Sequence, residues 1–163
     1  MKRILFVADL RGHSRSLQRM RAMLHLGHEV IGISFAPGAV GEITIQPPSF
    51  FMRVMNKLDH PSDPVGANRQ IIQALEEAEF DVLWIEKGLM IRPSTLRRAR
   101  RMQPNMKLAF HSDDSMTDAH NQSAWFRGAL PLYDVVGTHK SYNANPEELP
   151  AQGARNIVYF EDV

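Results

Sequence analysis

Short apolar runs alternate with amphipathic helical patterns along most of the chain. The first run, residues 4–8, is hydrophobic at consecutive positions, which is typical of a strand covered on both faces. Behind it, Leu17 and Leu24 share one face of a predicted helix that Ser14 or Ser16 can cap. Further apolar runs recur towards the end of the chain. The predicted strands are residues 4–8, 29–33, 81–85, 107–110, 133–138 and 156–160.

Helical patterns fill most of the intervals between these strands. The predicted helices are residues 17–24, 68–78, 94–102, 120–128 and 146–152, with Pro93 in the first turn of the third. The alternation breaks down between residues 36 and 64, which hold five of the ten prolines. Within that segment, residues 42–46 predict a short strand and residues 51–58 a short amphipathic helix. Long irregular segments in compact domains are more often functional than structurally necessary.

Repeated strand–helix–strand units predict the fold class. They favour an α/β protein with a doubly wound, mostly parallel sheet, a Rossmann-like arrangement of three α/β/α layers. A chain of 163 residues has the length of one domain, so residues 1–163 are interpreted as a single domain with an irregular insertion at about 36–64. Ligands of such sheets bind at the carboxyl ends of the strands, and candidate chemistry is therefore sought there.

Composition narrows the function classes. The 19 basic and 18 acidic side chains leave a formal charge of +1, which gives no general attraction to nucleic acid. The absence of cysteine excludes disulfides, thiolate zinc sites and iron–sulfur clusters. No apolar stretch approaches the ~20 residues of a membrane span. The composition therefore predicts a cytoplasmic protein with no membrane span.

The loop after the first predicted strand holds Gly12 and His13. A dinucleotide site requires G-x-G-x-x-G here, and a phosphate-binding loop requires G-x-x-x-x-G-K-[ST]. Only Gly12 is present, so binding of NAD or of nucleotides by a Walker motif is disfavoured. His13 lies just before a helix N-terminus, where it suits a general base or a phosphate contact. A solvated loop histidine is the alternative interpretation.

Two more strand ends carry ionisable side chains. Glu86 and Lys87 lie side by side and can bind a polar substrate or form a surface ion pair of little energetic value. Asp113 and Asp114 can act as base, ligand or acceptor of sugar hydroxyl groups, or one of them can cap a helix. A metal site is disfavoured because adjacent aspartates point in different directions and no H-x-x-x-H pair occurs. The same polar cluster includes His111, His120 and Asn121.

A run of positive charge extends from residue 92 to residue 107 without an acidic residue. Its members are Arg92, Arg97, Arg98, Arg100, Arg101 and Lys107. The run is interpreted as the solvated face of a helix, and contact with an anionic surface is the alternative. Nucleic acid is disfavoured because base-stacking aromatic residues are missing nearby in the sequence.

Several segments together resemble a known family. They are residues 26–30 (LGHEV), 81–88 (DVLWIEKG), 92–96 (RPSTL), 112–114 (SDD), 120–123 (HNQS), 131–134 (PLYD) and 140–142 (KSY). In this order they resemble the N-terminal domain of the CgeB-type, or spore-maturation-like, glycosyltransferases of GT-B type. The likeness runs over residues 1–163 and is weakest between 36 and 64. It implies an acceptor-side Rossmann-like half, with the nucleotide-sugar site in a second half that this chain lacks.

The resemblance also implies site residues and partners. His13, Asp113 and Asp114 are the candidates for acceptor contact or catalytic base. The predicted substrate-binding residues are Gly12, Glu86, Lys87, His120, Asn121 and Lys140. No metal or cofactor is implied. The expected partner is a sugar acceptor, either a small molecule, a glycan or a protein, and nucleic acid is not expected. The chain alone is expected to be inactive and to self-associate weakly through the surface that would face its second half.

A non-catalytic binding or signalling module that recognises an anionic partner is the alternative function. A phospho-receiver domain also places acids and a lysine at strand ends, here Asp9, Asp113 and Lys140. That class requires an acidic pair after the first strand, however, and Leu10 follows Asp9. A binding domain that uses the arginine run stays open.

Overall fold

The computed structural model describes residues 1–43, 47 and 49–161, and its strands form one sheet of six. The strands are β1 (Arg3–Ala8), β2 (Glu29–Ser34), β3 (Val82–Glu86), β4 (Lys107–Ser112), β5 (Val135–Thr138) and β6 (Ile157–Tyr159). They are hydrogen-bonded in the order β2-β1-β3-β4-β5-β6, and every neighbouring pair is parallel. The predicted doubly wound, Rossmann-like α/β fold is confirmed.

Helices cover both faces of the sheet. They are α1 (Arg15–His25), α2 (Phe50–Lys57), α3 (Ala67–Glu77), α4 (Pro93–Met102) and α5 (Ala124–Ala129). Successive strand residues point to opposite faces. Leu5 and Val7 therefore belong to the core cluster that includes residues of α3, α4 and α5, while Ile4 and Phe6 belong to a second cluster beside α1. Within the described residues, no helix is both long and apolar enough to cross a membrane.

The helix ends follow the predicted capping. Ser14 caps α1, and its hydroxyl accepts the backbone N–H of Leu17 at 3.1 Å. Pro93 occupies the first turn of α4, where its missing N–H costs no hydrogen bond. Residues 51–58 were predicted to be helical, and α2 covers most of that range.

Three predicted elements differ from the structure. Residues 146–152 form hydrogen-bonded turns rather than a helix, because Pro150 lacks an N–H and would clash within a helix. The helix predicted at 120–128 is divided by Ser123, which caps α5 by accepting the N–H of Phe126 at 3.0 Å. Glu42 and Ile43 belong to no strand, and residues 44–46 of that predicted strand lie outside the described residues.

The basic run on α4 contains two kinds of arginine. Arg97 and Arg101 are exposed, as expected of a solvated face. Arg100 instead donates to the carbonyl oxygen of Leu132 at 3.3 Å and to the carboxylate of Asp134 at 2.8 Å. The interpretation as a solvated face is therefore correct for Arg97 and Arg101 and wrong for Arg100, which joins α4 to the segment before β5.

This division predicts different costs of substitution on one helix. Arg97→Gln and Arg101→Gln are each expected to change the free energy of unfolding by no more than about 0.5 kcal/mol, as at ordinary surface sites. Arg100→Gln is expected to lower it by about 1.5 kcal/mol, because charge-assisted hydrogen bonds are lost. Urea denaturation measures all three. Equal costs at Arg97 and Arg100 would contradict the assignment.

Candidate functional site

A cleft lies at the carboxyl ends of β1 and β3. The chain leaves β1 towards β2 on one side and later returns to β3 on the other side, so the connections diverge at this point of the sheet. Such a divergence leaves an open crevice, which is the usual ligand position in doubly wound folds. A cavity of 690 Å³ occupies it. That volume lies within the range of small-molecule sites.

The cleft combines polar groups from the strand ends with a wall from α2. Asp9 follows β1, and Glu86 and Lys87 come from the end of β3. Met52 and Asn56 of α2 line the opposite side. The irregular segment between β2 and α3 thus supplies part of the ligand-sized space. This arrangement can hold a polar molecule with one apolar side.

Glu86 is a buried carboxylate at the floor of the cleft, only 4% exposed. The alternation of β3 places Glu86 on the same sheet face as Trp84, towards α1. Its Oε1 lies 2.5 Å from Nη1 of Arg19, 3.3 Å from Nε1 of Trp84 and 3.4 Å from Nδ1 of His111. A buried carboxylate requires this many partners to remain charged.

The pKa of Glu86 is lowered in the folded protein. Burial by itself raises this pKa, but hydrogen bonds from His111 and Ser16 and the positive charge of Arg19 more than offset it. Glu86 is therefore ionised at neutral pH and acts as a hydrogen-bond acceptor. This environment therefore does not make Glu86 a proton donor or a base with a pKa near 7.

The lowered pKa of Glu86 predicts acid sensitivity. A carboxyl whose pKa is depressed on folding contributes stability above its unfolded pKa, and that contribution is lost as the pH falls through the folded pKa. The stability gap between the wild type and Glu86→Gln is therefore expected to be widest above about pH 5 and to narrow as the pH falls below about 4, the ordinary pKa of a glutamate. Thermal melting at a series of pH values measures the gap. Glu76→Gln, at an exposed carboxylate, serves as the control and should show a small gap throughout. A gap for Glu86→Gln that is constant with pH would contradict the prediction.

Lys87 has an unusual backbone conformation. Its φ is +46°, in the left-handed region that side-chain-bearing residues rarely adopt. The backbone is held there by a hydrogen bond from Lys87 N–H to the carbonyl oxygen of His111 at 3.0 Å. The Lys87 ammonium forms an ion pair with Asp114. Strained backbone conformations persist only where surrounding contacts maintain them, and they are found most often at functional sites.

Asp113 lies where α1 meets the ends of β4 and β5. Its Oδ1 is 3.2 Å from Nη2 of Arg19 and 3.5 Å from Nε2 of both His111 and His139. A cavity of 280 Å³ next to these groups is lined by Asp113 and Asp114. It shares Ser16, Glu86 and Lys87 with the larger cleft, so the two spaces adjoin.

Strand register explains how these side chains meet. Glu86 pairs with His111 across β3 and β4, and His111 pairs with Gly137 across β4 and β5. A Cβ at Gly137 would lie 3.0 Å from both His111 and Phe160, so the absence of a side chain leaves space for the imidazole. His139 follows two residues after Gly137, in the alternating position that points to the same face.

Other residues predicted for the site lie elsewhere or have structural partners. Gly12 donates its N–H to the carbonyl oxygen of Glu42 at 2.9 Å, and a Cβ there would overlap the carbonyl oxygen of Gly41. A close approach of two loops therefore explains this glycine. His13 is exposed and lines neither cavity. His13 is therefore placed apart from Glu86 and the two aspartates, although its charge is close enough to lower the pKa of Asp9.

The three remaining predicted residues have different surroundings. His120 is exposed and lines the 690 Å³ cleft. Asn121 is buried, and its Nδ2 donates to the carbonyl oxygen of Ser115 at 2.9 Å, so it fixes the loop after β4. Lys140 follows β5, is partly exposed and lines neither of the two cavities.

Sequence reasoning missed Arg19 and His139, which complete the cluster around Asp113. Arg19 lies within a helix, on the face that α1 turns towards the sheet edge, and helical position alone gave no reason to select it. His139 had a usable signal. It follows a glycine by two residues at the end of a strand, as Asp113 follows His111. A comparison of alternating positions at the ends of neighbouring strands would have predicted that His139 and Asp113 lie close together.

The fold and cleft define a Rossmann-like α/β protein with a ligand-sized space at its switch point. No family model matches the sequence. No curated protein matches it either. Among solved structures, an alpha-glucosyltransferase in complex with UDP matches with a TM-score of 0.57 and 16% identity, over 99% of this chain and 41% of that chain. An alpha-glucosyltransferase in complex with UDP-glucose and DNA containing an abasic site matches with a TM-score of 0.55 and 17% identity, over 98% of this chain and 42% of that chain. The chain is thus similar in fold to part of a glycosyltransferase and spans about two fifths of its length.

These neighbours correct one expectation. Nucleic acid was excluded as a partner, yet the glucosyltransferase of similar fold is described in complex with DNA. The exclusion of nucleic acid depended on the lack of aromatic residues near the arginine run in the sequence, and this exclusion is wrong. The ring of Trp125, distant in sequence, lies 5.8 Å from the guanidinium carbon of Arg92. The sequence near the arginine run does not contain Trp125, because only the fold places this residue beside Arg92.

Proposed function

We propose that this chain is the acceptor-binding half of a glycosyltransferase, related to the CgeB-type enzymes that its motifs resemble. The observation that carries the proposal is the 690 Å³ cleft at the switch point, lined by Asp9, Glu86 and Lys87. A second half would supply the nucleotide-sugar site and cover this cleft. The chain spans about two fifths of the glucosyltransferase, which leaves room for such a half in a whole enzyme of that size.

The cleft chemistry suits sugar hydroxyl groups. The pKa of Asp9 is lowered in the folded protein, so this carboxyl is ionised. Burial by itself raises the pKa, but the hydrogen bonds from Arg11 lower it by more. Ionised carboxylates at Asp9 and Glu86 accept hydrogen bonds, and the Lys87 ammonium donates them. Asp114, which pairs with Lys87, lies at the adjoining cavity and is the proposed base for the acceptor hydroxyl. Positioning of the hydroxyl by these fixed groups would supply much of the rate.

The proposal is tested by binding rather than turnover, because the donor half is needed to exclude water from the reaction. Isotope-labelled chain is titrated with a panel of mono- and disaccharides and monitored by amide NMR shifts. We expect saturable shifts at Ser16, Lys87 and Met90, which line the cleft. Lys87→Gln should weaken binding about tenfold, since a charge-assisted hydrogen bond is lost.

Lys107→Gln is the matched control. Lys107 is exposed at the beginning of β4, at the opposite edge of the sheet from the cleft. Its substitution should leave saccharide binding unchanged. Shifts that do not saturate, or that occur away from the cleft, would refute the acceptor assignment. An equal effect of the two lysine substitutions would also refute it.

Nucleic acid is the second candidate partner, and a separate surface favours it. A groove of 1180 Å³ beside α4 is lined by Phe51, Trp125 and four arginines, Arg69, Arg92, Arg98 and Arg101. Phe51 is 63% exposed. Aromatic rings interleaved with positive charge bind single strands by stacking and phosphate contact. The three acidic groups at this groove have protein partners: Asp63 accepts two backbone N–H groups of α3, Glu76 pairs with Arg98, and Glu77 accepts a hydrogen bond from the amide of Gln73.

Fluorescence anisotropy with a labelled single-stranded DNA at several salt concentrations tests this second candidate. Trp125→Ala should weaken binding about tenfold through lost stacking. Arg92→Ala should weaken it and reduce the salt slope by about one phosphate contact. Arg97→Ala, at an exposed site of the same helix, is the control and should have a smaller effect. Binding that is absent at low salt, or equally sensitive to Arg97, would exclude this partner.

A further inference from the structure

A compact donor set lies beside the proposed acceptor cleft and is not used by it. Within the residues that the structure describes, His111, Asp113 and His139 each offer one ligand atom, and these atoms lie within 4.8 Å of one another. Nε2 of each histidine is 3.5 Å from Oδ1 of Asp113. Ligand atoms about 2.1 Å from a tetrahedral ion are separated by about 3.4 Å. The two separations from Asp113 therefore match those around one ion, and the two histidine ligand atoms lie within 4.8 Å of each other.

The orientation of His111 provides an independent argument. Its Nδ1 lies 3.4 Å from Oε1 of the buried Glu86, while Nε2 faces Asp113. Donation of Nδ1–H to Glu86 leaves the lone pair of Nε2 directed at the cluster. Metal-ligating histidines nearly always donate their second ring nitrogen to a carboxylate or a carbonyl in this way. Trp84 fixes Glu86 in turn, with Nε1 3.3 Å from Oε1.

Charge at the cluster also favours a cation. Metal ligation requires neutral imidazoles, so the two histidines add no charge. Glu86 and Asp113 contribute two negative charges and Arg19 one positive charge, which leaves a net charge of −1. Arg15 lies 4.0 Å from Asp113, but its side chain is 76% exposed and its charge is screened by water. Each carboxylate oxygen has two lone pairs, so Asp113 can retain Arg19 while it binds an ion.

We propose that His111, Asp113 and His139 form a binding site for a divalent transition-metal ion of the zinc, cobalt or nickel class. Imidazole and carboxylate donors favour these ions over magnesium and calcium. Three protein ligands leave a coordination position open. The cluster borders a shallow cavity of 370 Å³, which Asp113 and His139 line together with Arg15, Gln18, Arg19 and Ala22.

Cobalt and zinc titrations of the purified chain, first treated with a chelator, test the site. We expect one ion per chain with a dissociation constant in the micromolar range or below, and visible absorption bands of bound cobalt. Asp113→Asn and His139→Gln should each weaken binding at least about tenfold. Asp114→Asn and His120→Gln are matched controls at a neighbouring carboxylate and an exposed histidine, and they should bind as the wild type does.

A measurement on the wild-type chain does not depend on whether the variants fold. Cobalt bound to the wild-type chain should broaden amide NMR signals most strongly in residues 111–113 and 137–139. Absence of stoichiometric binding would overturn the proposal, and so would loss of binding in His120→Gln or broadening centred on another histidine. Saccharide binding is measured separately, so the metal site can fail while the acceptor cleft stands, and the converse also holds.

Discussion

Replacing Phe110 by alanine is expected to lower the free energy of unfolding by about 4 kcal/mol, the largest effect of any change considered. Phe110 is 2% exposed in the middle of the sheet. Its ring centroid lies 5.0 Å from that of Phe126 and 5.3 Å from that of Tyr133, so removal leaves a cavity between β4 and α5. Denaturant unfolding at neutral pH measures the loss.

Phe51→Ala is the control for Phe110→Ala. It removes the same ring from an exposed position of α2 and should cost less than about 0.5 kcal/mol. Phe110 directly precedes His111, so the Phe110 variant should also displace the polar groups at the end of β4. A loss below about 1.5 kcal/mol for Phe110→Ala would mean that this part of the core is loosely packed.

Replacing Asn143 by alanine is expected to lower the free energy of unfolding by about 3 kcal/mol. Asn143 is fully buried after β5. Its Oδ1 accepts the N–H of Met116 at 3.0 Å, and its Nδ2 donates to the carbonyl oxygen of Asp114 at 3.0 Å and to Oγ1 of Thr138 at 2.8 Å. Alanine leaves the buried Met116 N–H and the Asp114 carbonyl without these partners.

Asn145→Ala, at an exposed position two residues further along, is the control and should cost less than about 0.5 kcal/mol. Amide hydrogen exchange gives a second readout, because Met116 N–H should exchange faster in Asn143→Ala and not in Asn145→Ala. Unchanged exchange at Met116 would show that Asn143 does not hold the loop that carries Asp113 and Asp114.

The fold was predictable because its signals are local. Consecutive apolar residues in β1 and β3 indicate strands buried on both faces, and Ser14 and Pro93 mark helix starts by capping chemistry that depends on a few neighbouring residues. The failed helix at 146–152 shows the limit of periodicity. The segment has only Leu149 and Ala151 as apolar side chains besides its prolines, and Pro150 prevents a regular helix.

The candidate site was only partly predictable, because its geometry depends on strand register. Glu86 and Asp113 come from two strand ends that meet at one edge of the parallel sheet, and one cavity borders both residues. Arg19 and His139 join them through the packing of α1 and the pairing of β5, neither of which is readable from spacing. His13 was selected for its place before a helix, and its direction depends on the turn between β1 and α1.

One helix of this protein borders the cleft without contributing to the core, and this affects how the ligand specificity can change by mutation. None of the residues of α2 is buried, yet Met52 and Asn56 border the cleft, whereas α3 buries Ala67, Ile71 and Leu75. Accepted mutations are limited by the stability that they remove, and substitutions in α2 remove little. A library randomised in α2 should contain a larger fraction of folded variants than an equal library in α3. Divergence towards new ligands is therefore least constrained in the helix that borders the ligand space.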